Sequence, residues 1–582
     1  MTPFWFVVAA LVAYFVAYRV YGKWYDRTVW APDAKRTTPA HMYADGVEYF
    51  PVSKYVLWGF QFKSITALGP ILGPFIALTF GWAPALAWII LGNFFIGWLQ
   101  DYGAIMVSVR NEGRSFGPIS HTLAGPEART TLLGFLLFYL FIGVIAFLFP
   151  IGRYWNHYGG AFAADMGIFL TGIIVGRLLY RVRMNVWAVT GLAILGVIVS
   201  MALIGHYLQV PRDFLGSGTN LFWAGVACLI LYLASVVPLP TFIQPVLWTA
   251  FFPTYFAIVL VLLGALLTPV TGIALQQPAF NAAFTWEPGM SLPTGFIWPI
   301  LFVAIACGAI SGWHSLAGSS ITSKQLDLET DAHPIGAGCM LSEGLLALIS
   351  LAAYMVLEPG KYNPAVQVEA WVDGTTRLTA GYLGGRGFFE TYFSAVLVLY
   401  AMSLLTLVVR VWRMAAAELC SERLPIMANK HVATLLMLAV AWAFMAYGSF
   451  LNIWIYTGSA NQLMAGLALM LITVHLAKVG ARTRWTFIPA IFMTVTTLAA
   501  LLCQIFLVFG QKLVVSLTTE GYKFAKPLDN AFWTGWIMHL VLLLIGVGLF
   551  ALGLRMAILL FRSYARYKVT TPAMQPRPAE AD

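Results

Sequence analysis

The sequence predicts an all-α polytopic membrane protein of about fifteen transmembrane helices, and three observations carry that reading. Of 582 residues, 60% are hydrophobic and only 10% are charged, whereas soluble globular chains are nearer a quarter charged. The apolar residues come in runs of roughly 17–27, each long enough to cross a hydrocarbon core. The runs do not alternate polar and apolar residues as the strands of a membrane β-barrel do.

In chain order the expected spans are 2–20, 64–80, 84–109, 131–150, 161–180, 186–206, 221–237, 245–271, 296–315, 335–357, 389–412, 433–450, 454–477, 486–510 and 531–558. They leave one membrane domain over 64–562, a first helix with a cytoplasmic loop in 1–63, and a polar tail in 563–582. The first run, Thr2 to Tyr18, lacks a basic leader and a small-residue cleavage site, so it is expected to remain as a helix. Lys and Arg gather after odd-numbered spans: Arg19, Lys23 and Arg27, then Arg110, Arg114 and Arg129, later Arg410 and Arg413, finally Arg555, Arg562 and Arg566. The positive-inside rule therefore expects the N-terminus outside and the C-terminus in the cytoplasm, with the three lysines of 512–526 as the exception. The net charge of +10 is spread between apolar runs, so it marks orientation and implies no nucleic-acid partner. Five cysteines without a CxxC spacing read as packing residues.

Two spans are broken by their own residues. In "ALGPILGPF" (67–75), Pro70 and Pro74 lack an N–H and, inside a regular helix, would strand the carbonyls of Thr66 and Pro70. Such a break survives only inside protein or beside a wet cavity. Gly69 and Gly73 remove side chains beside it, so that a ligand or another helix can approach. The second break is "CGAISGWHSLAGSSITSKQ" (307–325), where Gly308, Gly312 and Gly318 alternate with Ser311, Ser315, Ser319, Ser320 and Thr322. These hydroxyls could replace the hydration shell of an ion or polar solute. "GSSITSK" is not a phosphate loop, because the second glycine before the lysine is missing. The breaks fall seven spans apart, so they run in opposite directions. Paired broken helices in inverted halves point to a transporter with a midplane site.

Several polar residues sit where lipid would penalise them. Asp101 is a functional candidate as an intramembrane carboxylate, or pairs with a nearby Arg or caps a broken helix. Gln100 beside it binds substrate or an adjacent helix. His314, at the start of the second break, is a proton relay or an interhelical hydrogen-bonding histidine. Glu343 could hold a proton or offset Lys324, which in turn neutralises a carboxylate substrate or stabilises the loop of Asp327, Glu329 and Asp331. Asn461 and Gln462 are candidates to line the cavity. Neither HExxH nor CxxCH is present, so no metal or covalent haem is expected. His121, His157, His206, His475 and His539 lie near span ends, and a haem held by two distant histidines stays open, which would make the chain a membrane redox protein.

The stretches "ADGVEYFPVSKYVLWGFQFKSITALGPILGP" and "CGAISGWHSLAGSSITSKQLDLETDAHPIGAGCMLSE" resemble the carbon starvation protein A family of bacterial membrane transporters. So do "QDYGAIMVSVRNEGRSFGPI", "VVRVWRMAAAEL" and "IYTGSANQLMAGLALMLITVHLAKVG". The resemblance runs from about residue 44 to 500. It implies a LeuT-like (APC-type) five-plus-five inverted repeat with additional helices, and peptide uptake on carbon limitation. Some members look like proton-coupled pyruvate symporters. This chain departs from the family in having Phe60, Gln61 and Gln100 where histidines often stand, and "PLPTFIQPVL" (238–247) where a more polar stretch is usual.

The resulting expectation is a secondary active transporter of the bacterial inner membrane, working by alternating access. Its partners are a peptide or small-molecule substrate and the lipid bilayer, with H⁺ or Na⁺ as coupling ion and no cofactor; the oligomeric state is not readable. A pyruvate or small-carboxylate symporter is the alternative within the class.

Overall fold

The computed structural model describes residues 1–281, 297–358, 367–447, 450–510, 513–514 and 538–571. Among them the chain is overwhelmingly helical, and the β-pairing shown is one isolated parallel bridge between Val52 and Leu326. Twelve helices are long and apolar enough to cross a membrane, and the bent pair Lys54–Ile65 and Gly69–Phe80, turned by 43°, makes a thirteenth span. The remaining expected positions are filled by a second broken segment (Ile297–Leu301, Phe302–Ala304, then Gly312–Ser320) and by the shorter helix Lys430–Tyr447. The protein is therefore a multi-pass membrane protein.

Three boundaries differ from expectation. The first span runs on to Trp30. The second begins at Lys54, so a division at 63/64 falls inside a helix whose Phe60, Gln61, Phe62 and Lys63 are fully buried. Hydropathy places Gln61 and Lys63 at a span boundary; here neighbouring helices enclose them inside the bundle. The final helix, Met538–Thr570, continues past 562, so the division at 562/563 also falls inside a helix. Residues 572–582 of the tail, and Lys512, Lys523 and Lys526 of the charge exception, lie outside the described residues.

The architecture repeats. The first broken span is followed by Trp82–Val109, the short helix Phe116–Ala124 and the long span Pro126–His157. The second is followed by Glu329–Met355, the short helix Gln367–Leu383 and the long span Arg386–Cys420. Equivalent members of the two series pack together: Trp98–Val109 on Ala332–Met355, and Pro126–His157 on Arg386–Cys420. The polarity is opposite. Phe50 N–H donates to Lys324 O at 3.3 Å and Val52 N–H to Gln325 O at 3.0 Å, so the first broken span starts where the second ends. At the other face, where the first broken span finishes, Trp82 N–H donates to Pro278 O at 3.2 Å, on the segment leading toward the second. This is the expected inverted-repeat core, with additional helices around it.

Burial orders the layers. The most apolar windows of Arg386–Cys420 and Tyr456–Lys478 are 100% enclosed by protein, against 22% for Phe4–Trp30 and 28% for His539–Thr570. The first pair forms the centre, and the second pair faces lipid.

The face where residue 52 meets residue 326 is laced shut by the segment between the first two spans. Glu329, fully buried, receives Asp33 N–H at 2.8 Å, Arg36 at 3.2 Å and Arg110 at 2.9 Å. His41 meets Asp327 at 2.7 Å, and Glu48 bridges Arg410 at 2.5 Å and Lys324 at 3.6 Å.

Candidate functional site

The first break is a non-helical stretch at 66–68, and the helix resumes at Gly69. Pro70 thus stands in the first turn of Gly69–Ala77, where no N–H is needed. It starts a helix, so the expected break is present, and the regular helix in which Pro70 would strand the Thr66 carbonyl does not form; Pro74 alone lies in the helix interior. The glycines serve a helix crossing. A Cβ on Gly69 would come within 2.7 Å of Cys307 Cβ, and one on Gly73 within 2.7 Å of Ala304 O and 3.0 Å of Ile305 Cα. The two broken spans therefore cross backbone to backbone at their breaks.

The second span leaves the helix at Ile305 and resumes it at Gly312. Its freed backbone groups are taken up by amide side chains. Gln462 Nε2 donates to Ile305 O at 3.0 Å and to Ala306 O at 3.4 Å. Asn93 Nδ2 donates to Gly308 O at 3.4 Å, and Gln100 Nε2 donates to Ser311 O at 2.6 Å and Ser315 Oγ at 2.5 Å. Asn461 Oδ1 accepts Trp313 N–H at 3.0 Å, the Ser311 hydroxyl at 3.2 Å and the Tyr139 hydroxyl at 2.6 Å. This is how an unwound backbone is tolerated at membrane depth.

The hydroxyls expected to face a solute mostly join helices. The Thr322 hydroxyl donates to Gln61 Oε1, and the Ser315 hydroxyl accepts from Gln100, whereas Ser319 meets Ser108 only through its backbone carbonyl, at 2.8 Å, and its own buried hydroxyl has no hydrogen-bond partner among the described residues. Ser320 is buried on the same helix, and Gly312 lets that helix reach Ala465 N at 2.6 Å from its Cβ position. Lys324 lies at the laced face beside Glu48 and over the Tyr49 ring, while Asp327 and Glu329 have other partners. Glu343 does not offset Lys324; its partner is elsewhere.

That partner is His314. His314 Nδ1 lies 2.9 Å from Asp101 Oδ2 in a hydrogen bond. On the other side, Nε2 lies 2.9 Å from Glu343 Oε2, at ion-pair distance but off the hydrogen-bond direction. All three side chains are 0% exposed. Asp101 Oδ1 and Glu343 Oε1 have no hydrogen-bond partner among the described residues. An imidazolium is the form of the ring that is attracted to a carboxylate on each side, so the arrangement suits a positive charge held between Asp101 and Glu343. The cluster ties the second broken span to the two spans that follow the breaks, Trp82–Val109 and Glu329–Met355.

Beside it lies a cavity. Gly69 at the first break, Cys307 at the second, and Tyr139, Trp313, Trp454 and Asn461 line it, and none of its lining residues is charged. Of the residues singled out in the sequence, only Gly69 and Asn461 face this space. Trp313 joins cavity to cluster: its ring forms a wall, its Nε1 donates to Ser64 O at 2.7 Å, and the next residue is His314.

Two buried charges escaped the sequence reading. Asp165 accepts from Trp155 Nε1 at 2.8 Å. Lys63 donates to Leu399 O at 3.4 Å and sits 4.1 Å from the Tyr400 ring centroid. The rule that singled out Asp101, an intramembrane carboxylate, would also have found Asp165 within the expected span 161–180.

The family profile described as "Carbon starvation protein CstA" matches residues 2–391 and 384–500. Among curated relatives, the "Peptide transporter CstA" of Escherichia coli (strain K12) is 28% identical over 581 residues, covering 85% of this chain and 80% of that protein. The "Pyruvate/proton symporter BtsT" of the same organism is 31% identical over 375 residues, covering 62% of this chain and 50% of that protein. Among solved structures, MhsT in complex with L-phenylalanine aligns with a TM-score of 0.47 at 13% identity, over 78% of this chain and 98% of that one.

Proposed function

The chain belongs to the carbon starvation protein CstA family, and from that premise we propose that it is a proton-driven secondary active transporter that takes up peptides across the bacterial inner membrane. One observation carries the reading: a fully buried carboxylate–imidazole–carboxylate cluster adjoins an uncharged cavity through consecutive residues, Trp313 and His314. With His314 protonated, the imidazolium holds the second broken span against Asp101 and Glu343. Loss of the proton leaves two carboxylates facing a neutral ring, an arrangement that low dielectric penalises. The second broken span then shifts, and Trp313 moves with it, changing the cavity wall. Coupling by alternating access follows from that shared segment.

In the cavity, the N-terminal end of Gly69–Ala77 offers the partial positive charge of a helix start to a substrate carboxylate. The Tyr139 hydroxyl, whose proton goes to Asn461, keeps its oxygen as an acceptor for a substrate donor, and Trp454 and Phe147 supply apolar walls. The peptide cargo is taken from the relatives named peptide transporters. Pyruvate is the second reading, favoured by the relative named a pyruvate/proton symporter. By the positive-inside rule the laced face, with Arg36, Arg110 and Arg410, is cytoplasmic, which puts the N-terminus outside and the C-terminus inside.

The test is uptake into proteoliposomes of a labelled dipeptide and of labelled pyruvate, under an imposed pH or sodium gradient, by wild type and His314→Ala. Accumulation of the dipeptide under a pH gradient, lost in the variant, is expected. Equal accumulation by the variant would remove His314 from the coupling step, and a sodium requirement would replace the proton. A haem absorption spectrum in the purified protein would support the redox alternative instead.

A further inference from the structure

Pro126–His157, the long span of the first half, carries a glycine that serves no helix packing. Glycines inside membrane helices commonly let two backbones approach. Gly152 of this same helix does so, since a Cβ there would collide with Asn220 O. Gly143 is buried as well, yet no atom lies within 4 Å of its Cβ position. Among the described glycines with that much open space, it alone is buried. Glycine is the poorest helix former after proline, so one enclosed in a helix without close neighbours is kept for the space it leaves. That space belongs to the cavity, which Gly143 lines.

Two facing helices give the space its shape. Along Pro126–His157 the lining residues Tyr139, Gly143 and Phe147 recur every fourth position and share one face. Along Phe450–Lys478 the lining residues are Asn461, Thr457 and Trp454. The two stripes are antiparallel and matched at both ends. Tyr139 donates to Asn461 at 2.6 Å, and the ring centroids of Phe147 and Trp454 lie 5.4 Å apart. Gly143 stands about 6 Å along its helix from the residue at either end, at the level of Thr457. A slot therefore opens between the two contacts. Its chemistry is graded. Leu140, Leu404 and Val408 extend its walls, and none of the lining residues is charged. The polar end is at Asn461, whose Nδ2 donates to Cys307 Sγ at 3.3 Å, and Cys307 packs against Gly69 at the helix start.

We propose that Gly143 is a specificity-determining residue of this cavity: the slot it leaves receives one bulky apolar side chain of the transported peptide. The carboxylate end of the peptide then lies at the helix start of Gly69, beside Tyr139 and Asn461. A charged side chain finds no partner in the slot, and a glycine residue leaves it unfilled. The preferred cargo is thus a peptide with a leucine-like or aromatic residue.

This inference rests on the peptide reading of the cavity and not on proton coupling, so it is tested by solute exchange without a gradient. Wild type, Gly143→Ala and Gly143→Val are reconstituted, and the KM for exchange is measured with leucyl-leucine, glycyl-glycine and pyruvate. Wild type is expected to favour leucyl-leucine over glycyl-glycine by about tenfold or more, as burial of one leucine side chain dictates. Gly143→Val fills the slot and is expected to lower that preference about tenfold, and Gly143→Ala to lower it in part. Gly143→Ala should also melt no lower than wild type, because its methyl group meets open space and favours the helix. A Gly143→Val protein with the wild-type preference overturns the proposal. If that variant cannot be purified as a monodisperse protein, Gly143→Ala with the wild-type preference overturns it. A Gly143→Ala protein that melts well below wild type shows the position to be packed and overturns it too. Wild type that exchanges both dipeptides equally overturns the inference and leaves the peptide reading standing. Exchange of pyruvate and of neither dipeptide overturns both.

Discussion

Gly73→Ala puts one methyl group where the two broken spans cross. The added Cβ would stand 2.7 Å from Ala304 O and 3.0 Å from Ile305 Cα, both backbone atoms of the second break. Neither atom can swing away as a side chain would, and Gln462 pins the Ile305 carbonyl from the other side. The spans must therefore separate by several tenths of an ångström to a full ångström. Overpacking of this kind costs about 1–3 kcal/mol, which is roughly a 5- to 150-fold shift in any equilibrium that requires the crossing to be closed. Gly69→Ala differs in kind, because its Cβ meets the Cys307 side chain. Gly69→Ala combined with Cys307→Gly should recover much of the loss, whereas no side-chain change rescues Gly73→Ala. The assays are thermal unfolding in detergent, followed by size-exclusion chromatography, and solute exchange in proteoliposomes. Gly191→Ala is the control, since no atom lies within 4 Å of its Cβ position. A Gly73→Ala protein as heat-stable and as active in exchange as the Gly191→Ala protein would refute the argument.

Two further outcomes follow from particular contacts. Gln462→Leu removes the donor to Ile305 O and Ala306 O; a stranded buried carbonyl costs about 1–3 kcal/mol, so the melting temperature should fall while a conservative change at exposed Leu435 leaves it in place. In the loop before the first broken span, burial tends to raise the pKa of Asp45, but the backbone N–H groups of Val47, Tyr49 and Glu48, each 2.8 Å from Oδ1, outweigh it and hold the carboxyl below the usual range. A lowered native value means the turn gains stability from ionised Asp45 above the unfolded value of about 3.9 and loses it as pH falls through the native one. Hydrogen exchange of amides 47–49, corrected for intrinsic rates, should show protection at neutral pH that disappears in that acid range and is reduced throughout in Asp45→Ala.

Much of the fold could be read from the sequence because lipid makes hydropathy decisive. Each apolar run that was expected to span has a helix at its position, from Phe4–Trp30 to Met538–Thr570. The pairing of two breaks in opposed halves was also legible, since glycine, proline and hydroxyl residues in apolar runs have few other uses. Where each break begins was not. A proline strands a carbonyl in a helix interior and starts a helix in a first turn, and only the path of residues 66–68 decides which applies to Pro70. Composition likewise cannot tell a hydroxyl that meets a ligand from one that meets another helix. Ser315 and Thr322 proved to be of the second kind, and Gln100, read as a possible substrate contact, secures the backbone of the break. His314, Asp101 and Glu343 were each individually conspicuous. Their convergence depends on contacts across 213 positions of the chain, which no local pattern encodes. Lys63 was hidden for another reason: it stood at an expected boundary, where a lysine usually reaches for water.

Under the alternating access proposed above, the laced face has an energetic consequence. Arg410, Lys324 and Glu329 are held there with little or no access to solvent, and Glu48 is partly buried: Glu329 is 0%, Arg410 5% and Glu48 22% exposed at the side chain. Opening that face breaks their pairs but returns the charges to water, and the hydration recovered offsets most of the attraction lost. Such a latch closes specifically, since its geometry is met by one arrangement of Glu48 between Arg410 and Lys324, yet it adds little depth to the closed state. A seal made of apolar contacts over the same area would grip harder and release more slowly. Charge pairs that dissolve on opening let a carrier be tightly shut and still turn over.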